Sequence, residues 1–306
     1  MTPLSAAADI DVCICTFRRP SLALTLETVG CQQLPAGVRL RVVVADNDVS
    51  PSAEDLARST AARLGLPLHY VHAPSRNISL ARNACLDAVE APLAAFLDDD
   101  ELATPGWIAG LLTALQETAS DVVFGPVRAD YGPDAPRWMR RADLHSFEAV
   151  TLADGGVRTG YTSNCLMRRD AIGAERFDLA LGQSGGEDTE FFFRLNAKGV
   201  KLAKAPLALV HEPVPASRAR LGWLLERSFR SGQTHARLLI GSGAAPGRAV
   251  AVAAAKFLVC LGASAISAWD PARAARQLVR AALHAGVVAR LLGLQDLQIY
   301  GKPQVR

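Results

Sequence analysis

Leu93-Ala94-Ala95-Phe96-Leu97-Asp98-Asp99-Asp100-Glu101 is a short apolar run followed at once by four acids. A continuous apolar run suits a strand covered on both faces, as in a parallel sheet. Four adjacent carboxylates cannot continue it, because burying unpaired charge is very costly. The strand is therefore expected to end at Leu97, with the acids at its carboxyl end, where open α/β sheets bind ligands. Alternation of side chains would place Asp98 and Asp100 on one side and Asp99 opposite. Two convergent carboxylates with room for water suit a hard divalent cation carrying a substrate phosphate. A solvated acidic turn is the plainer alternative.

The chain before this stretch repeats one pattern. Ile10 to Phe17, Leu40 to Ala45 and Leu68 to His72 read as strands, with helices after Pro20, after Ser50-Pro51-Ser52 and from Ile78 to Val89. Strands alternating with helices predict a doubly wound α/β fold with a mostly parallel, Rossmann-like central sheet. Polar residues recur just past each strand: Thr16 and Arg18, Asp46 and Asp48, Arg76 and Asn77, then the acids. Four such clusters on one sheet edge point to a nucleotide site. Neither Gly-x-Gly-x-x-Gly nor Gly-x-x-x-x-Gly-Lys-Ser/Thr occurs, so those phosphate-binding loops are not expected.

Further on, a strand is expected from Asp121 to Val127, a polar irregular stretch from Trp138 to Tyr161, and a strand from Thr162 to Met167. Gly185-Gly186-Glu187-Asp188 then opens an aromatic-rich helix. Acids there satisfy the free amides and dipole of a helix N-terminus; simple capping and a functional pair both fit. Composition adds bounds. The 306 residues carry a net charge of only +3, too little basic excess for a nucleic-acid partner. The six cysteines form no Cys-x-x-Cys pair and read as core thiols of a reducing compartment. The N-terminus has no signal-peptide pattern, so a cytoplasmic location is expected.

Together, Ile14-Cys15-Thr16-Phe17-Arg18-Arg19-Pro20, Val43-Val44-Ala45-Asp46-Asn47, Ser79-Leu80-Ala81-Arg82-Asn83, Phe96 to Asp100 and Gly186-Glu187-Asp188 resemble the family-2 glycosyltransferases of GT-A fold. Asn77 to Asn83, Asp98 to Glu101, Gly182 to Phe193 and Phe229 to His235 are similar, more narrowly, to the succinoglycan-type glucosyltransferases of bacterial exopolysaccharide synthesis. The resemblance implies an inverting transfer of a hexose, glucose by preference, from a UDP-sugar to a lipid-linked saccharide, with Mg2+ or Mn2+. It implies that Thr16, Arg18 and Asn77 line the nucleotide-sugar pocket, that Asp46 accepts the uracil N–H, and that Arg82 contacts the diphosphate. Asp98 would reach the ribose or a metal-bound water, Asp99 would be secondary, and Asp100 would ligate the metal. Asp188 would be the general base, Glu187 would orient the acceptor, and His211 matches a third metal ligand in some relatives. A His at a strand end is as often structural. Rival readings are a nucleotidyltransferase, whose Gly-rich loop with Lys is missing, and a non-catalytic saccharide-binding protein, in which Asp100 or Asp188 would be lost.

Residues 1–215 are thus expected to form the catalytic domain, and 216–306 a helical C-terminal extension. Ala249 to Ser267 is long enough to span a bilayer, with Lys256 its one charge. On an insertion scale its large apolar side chains gain about 3.5 kcal/mol and the central Lys costs about as much, so spanning is not expected. Pro271 to Leu292 puts Arg273, Arg276, Arg280 and His284 on one face, as an interfacial helix on an anionic cytoplasmic membrane surface would.

Overall fold

The computed structural model describes residues 9–153, 155–241, 243 and 245–297. The first half alternates as expected: β1 (Asp9–Thr16), α1 (Leu22–Gly30), β2 (Arg39–Asp46), α2 (Glu54–Leu64), β3 (Leu68–His72), α3 (Ile78–Ala88) and β4 (Leu93–Leu97). The edge strand β5 (Leu102–Ala103) and α4 (Trp107–Glu117) follow. Next come β6 (Val122–Phe124), β7 (Val127–Tyr131), α5 (Arg137–Ala142), β8 (Asn164–Arg168), α6 (Arg169–Ile172), α7 (Glu187–Ala197), β9 (Leu202–Lys204) and β10 (Val210–Val214). The chain closes with α8 (Leu221–Gly241), α9 (Pro246–Ile266) and α10 (Pro271–Leu291).

The main sheet has the order β3-β2-β1-β4-β8-β6-β9. The first four strands run parallel, and β8 is antiparallel to both its neighbours, β4 and β6. Each central strand divides its side chains between two cores. Val12, Ile14, Leu93, Ala95 and Leu97 face the layer of α1, α2 and α4, while Cys13, Ala94 and Phe96 face the opposite layer with Phe191 and Phe192 of α7. This double burial is why these strands read as unbroken apolar runs.

The single strand expected from Asp121 to Val127 is two. Gly125-Pro126 breaks it, since proline brings no N–H and a Cβ at Gly125 would overlap the Ala208 carbonyl oxygen. The chain thereby leaves the main sheet and enters a small one, ordered β5-β10-β7, beside the acids. The stretch expected to be irregular contains α5.

α8 and α10 run side by side in the same direction. Gly232 lies against the Leu283 carbonyl, Gly286 against that of Phe229, and Ser228 Oγ donates to Val279 O at 2.6 Å. α10 buries Ala272, Ala275, Ala281 and Val287, while Arg273, Arg276 and Arg280 of its basic face stay exposed. It packs against α8, α9 and α5, and Arg276 donates to the carbonyls of Arg141 and Ala142 at the end of α5. A side chain at the α8–α10 crossing has no room. Gly232→Ala is expected to cost about 1–3 kcal/mol of stability, read as a lowered thermal midpoint; an unchanged midpoint would show that the helices can separate freely there.

Candidate active site

The parallel register of β1 and β4 pairs Cys13 with Phe96. Three residues on, at the last residue of β1 and just past the end of β4, Thr16 Oγ1 donates to Asp99 Oδ2 at 2.7 Å. The chain turns at once: Glu101 N donates to Asp98 O at 3.2 Å, and Asp98 N donates to Glu101 Oε2 at 3.1 Å. Strand alternation is lost in this turn, so the acids fan out and do not alternate. Asp98 leans toward Arg82, 4.0 Å away. Asp99 and Asp100 share Arg19, at 3.9 and 2.6 Å. Arg218 approaches Asp100 at 3.5 Å and also binds Glu212 of β10 at 2.8 Å. Asp99 is thus a buried anchor on the Asp100 side, which corrects its expected place opposite.

Five carboxylates crowd one end of the crevice. Burial pushes Glu101 well above the ordinary range, with Asp98 and Glu212 adding repulsion. Burial raises Glu212 as well, and the Asp100 charge adds to it against the opposing pull of Arg227 and Arg218. Asp99 is pushed up to about 6, by desolvation first and then by Asp100. Desolvation also pushes Asp98 up to about 7, with Asp100, Asp99 and Glu212 adding to it and Arg82 opposing. The Asp98 side chain keeps 44% of its surface exposed, so water at the crevice mouth tempers that shift. The local excess of negative charge is what a bound cation would relieve.

The opposite wall is built by α3 and α7. Asn77 caps α3 by accepting from Leu80 N at 3.2 Å, and its amide donates to Leu179 O at 2.9 Å. One turn later Arg82 is buried, stacked 5.8 Å above the Phe177 ring, and its guanidinium donates to Glu187 Oε1. Desolvation works against the Arg82 charge, but Glu187, Asp188 and Asp98 together carry its pKa upward. Desolvation pushes Glu187 up in turn, against the pull of Arg82. The contact pairs a buried guanidinium with a buried carboxylate, and Glu187 Oε2 has no hydrogen-bond partner among the described residues.

Gly185 and Gly186 reach φ of +83° and +85°, a conformation that favours glycine. A Cβ on Gly186 would also overlap the Thr234 side chain of α8. Arg237, one turn further along α8, donates to Ser184 Oγ at 3.0 Å. The turn places Asp188 in the first turn of α7, partly exposed, with Oδ1 accepting from its neighbour Thr189 N at 2.7 Å. Asp188 and the acid turn are thus linked through Arg82, which reaches Glu187 on one side and Asp98 on the other.

Residues 11–174, more than half of the chain, match glycosyl transferase family 2. The chain belongs to this family. It is 48% identical to the succinoglycan biosynthesis protein ExoM of Rhizobium meliloti (strain 1021), over 97% of each chain. Among solved structures it is similar to the mannosyltransferase PcManGT from Pyrobaculum calidifontis, in complex with GDP-Man and Mn2+. That match has a TM-score of 0.63 and 19% identity, and covers 95% of this chain and 90% of that one. S. aureus TarS matches with a TM-score of 0.52 and 16% identity over 76% of this chain, which spans 43% of TarS. At these identities the likeness is one of fold, and the fold is GT-A.

Within this glycosyltransferase the expected residues divide. Thr16, Arg82, Asp98, Asp99, Asp100, Glu187 and Asp188 gather around the crevice. Asp46 is buried and accepts from Asp48 N at 2.9 Å, Ala53 N at 2.8 Å and the Tyr70 hydroxyl at 2.7 Å. It pins the end of β2, and the exposed Arg18, held by Asp48 at 2.7 Å, is the polar group left open there. Asn77 is a helix cap. His211 is not brought to the acids: its Nδ1 lies 3.3 Å from Asp130 Oδ1, and Glu212, on the other face of β10, is the residue in the field of Asp100. Crowded as the acids are, among the described residues no three His, Cys, Asp or Glu side chains are placed to hold one metal ion together.

Sequence reasoning left Glu101 without a role and passed over Arg19, Arg218 and Glu212. Thr162 and Ser163 were read only as strand residues, yet their buried hydroxyls lack partners among the described residues, and the β4–β8 register carries Ser163 beside Asp98. Glu212 could have been found by alternation from His211, had the pairing of β10 been known.

The raised carboxyls make a prediction about pH. From an ordinary value of 3.8, Asp98 and Asp99 rise to about 7 and 6 on folding, so the native state holds more protons across that window. Their contribution to stability therefore falls as pH rises from about 4 to 7. Asp98→Asn combined with Asp99→Asn is expected to raise the thermal midpoint of the metal-free protein more above pH 7 than below pH 4. An equal change at both ends would mean that the acids are not crowded.

Proposed function

We propose that this glycosyltransferase moves a hexose, most consistently glucose, from a UDP-sugar to a lipid-linked saccharide at the cytoplasmic face of the membrane, with inversion, in exopolysaccharide synthesis. The observation that carries the reading is the crevice itself: an acid turn at one wall, the carboxylate of Asp188 at the other, and Arg82 between. The succinoglycan role named for the 48% identical relative supports the pathway class, and the GDP-Man and Mn2+ of the structural neighbour support a nucleotide-sugar donor and a divalent ion.

In this reading Asp188 accepts the proton of the acceptor hydroxyl as its oxygen bonds to the anomeric carbon. The bond from that carbon to the diphosphate breaks on the opposite face, and UDP departs. General-base help of this kind typically contributes about 10²–10⁴-fold. Glu187 keeps Asp188 in place through Arg82, and the free Oε2 of Glu187 is available to orient the acceptor.

An all-oxygen donor set fits Mg2+ or Mn2+, which commonly take one or two carboxylates and complete their shell with phosphate and water. Asp100, with Asp98 beside it, would hold the ion, and the ion would neutralise charge developing on the leaving diphosphate. Arg19 and Arg218 supply further positive charge at the same end. Thr16, Arg18 and the hydroxyls of Thr162 and Ser163 are the polar groups available to the nucleotide and sugar. Residues 1–215 act as the catalytic domain, and 216–306 as an extension whose α8 braces the Gly185-Gly186 turn.

The test is a panel of nucleotide sugars with Mn2+, read by nucleotide release and by thermal shift. UDP-glucose is expected to respond. Asp188→Asn is expected to abolish transfer while keeping nucleotide-sugar binding, and Asp100→Ala to lose the metal-dependent part of that binding. No response to any UDP-sugar would remove the donor assignment, and near-normal turnover of Asp188→Asn would remove the base.

A further inference from the structure

We propose that the outer face of α9 is a docking surface for an anionic lipid bilayer. α9 buries Ala253, Cys260 and Ser264 on the inner side, where Ser264 Oγ donates to Ala274 O at 3.1 Å. Its outer side carries Leu258, Val259 and Ile266, exposed by 65%, 71% and 79%, at spacings that place them on one helical face. Trp269, 74% exposed, follows directly. Between Arg248 and Asp270 the only charged residue is Lys256. The helix is long and apolar enough to cross a membrane by length and composition alone.

Charge decides what covers this face. Residues 246–292 hold six Lys or Arg and one Asp, a net +5 in a chain whose whole net charge is +3. The single acid, Asp270, is already engaged: it caps α10 and pairs with Arg141 and Arg273. Two copies of such a surface repel, whereas an anionic bilayer attracts it, by about fivefold in affinity for each basic residue near the lipid. Arg273 lies over the Trp269 ring at 5.3 Å. A paired Trp and Arg at the end of an apolar face suit the headgroup level, where amphipathic side chains anchor proteins.

The helix lies on the membrane and does not cross it. Crossing would pull its inner face off α8 and α10, and α8 is held against the catalytic turn through Thr234 and Arg237. The contact is therefore in the plane of the interface, with α9 taking the role that sequence periodicity suggested for α10. Docking deepens the membrane-facing part of the proposed function but requires no particular donor or acceptor, so vesicle binding and sugar transfer can fail separately.

The test is flotation of the full-length protein with vesicles of phosphatidylcholine alone or mixed with phosphatidylglycerol, alongside light scattering without lipid. The parent is expected to float at least about tenfold more with the anionic vesicles. Leu258→Glu with Ile266→Glu should lower that binding at least about tenfold while leaving the thermal midpoint and donor turnover unchanged. Arg248→Gln with Lys256→Gln keeps the apolar face and should also weaken anionic binding by about tenfold or more. Equal binding to both vesicles, no binding to either, or a dimer that the Glu variants dissolve would overturn the proposal.

Discussion

The buried contact of Arg82 with Glu187 is the interaction on which the catalytic half depends. A guanidinium taken out of water must be paired, and removing one partner of such a pair typically costs about 3–5 kcal/mol. Arg82 sits on α3, Glu187 opens α7, and Asp98 directly follows β4, so a single cation fixes three elements relative to one another. α7 is distant from the other two in sequence, and the apolar packing behind them, with Phe177 stacked on Phe191 at 4.0 Å, sets their spacing but not their facing. The pair sets the facing. Asp188 follows Glu187 in the first turn of α7, so the place of its backbone depends on where Glu187 is held.

The other wall works by an opposite principle. Asp98, Asp99, Glu101 and Glu212 are desolvated together and the charge of Asp100 raises all four, an arrangement that costs stability while no cation is bound. Arg19 and Arg218 offset only the Asp99, Asp100 and Glu212 end. Charge crowding of this kind is common at functional sites, where stability is given up for a defined response to a ligand. The crevice is therefore a buried ion pair facing a crowded acid cluster.

Much of this was legible in the chain because its physical cause is local. The apolar runs of β1, β2 and β4 announce double burial, and four acids after Leu97 can only end a strand. The glycine pair before Glu187 announces a turn that other residues do not make easily. What was not legible depended on partners remote in sequence. Whether His211 or Glu212 faces the acids follows from the pairing of β10 with β5 and β7, which no residue of β10 encodes alone. The hydrogen bonds that Asp46 accepts from Tyr70 and from the amides of Asp48 and Ala53 likewise come from partners outside its own strand. The Gly125-Pro126 break was present as a signal and was passed over. Which face of α10 packs inward follows from its close approach to α8 through Gly232 and Gly286, a pairing that neither helix encodes alone.

The central claim is that the Arg82–Glu187 pair holds the Asp188 turn against the acid wall, and a double-mutant cycle measures it directly. Arg82→Met, Glu187→Met and the double variant would be compared for unfolding free energy and for transfer rate. Each single change is expected to cost about 3–5 kcal/mol, because it strands a buried charge, while the double variant regains most of that stability and none of the transfer. Additive losses in stability, or transfer restored in the double variant, would contradict the account.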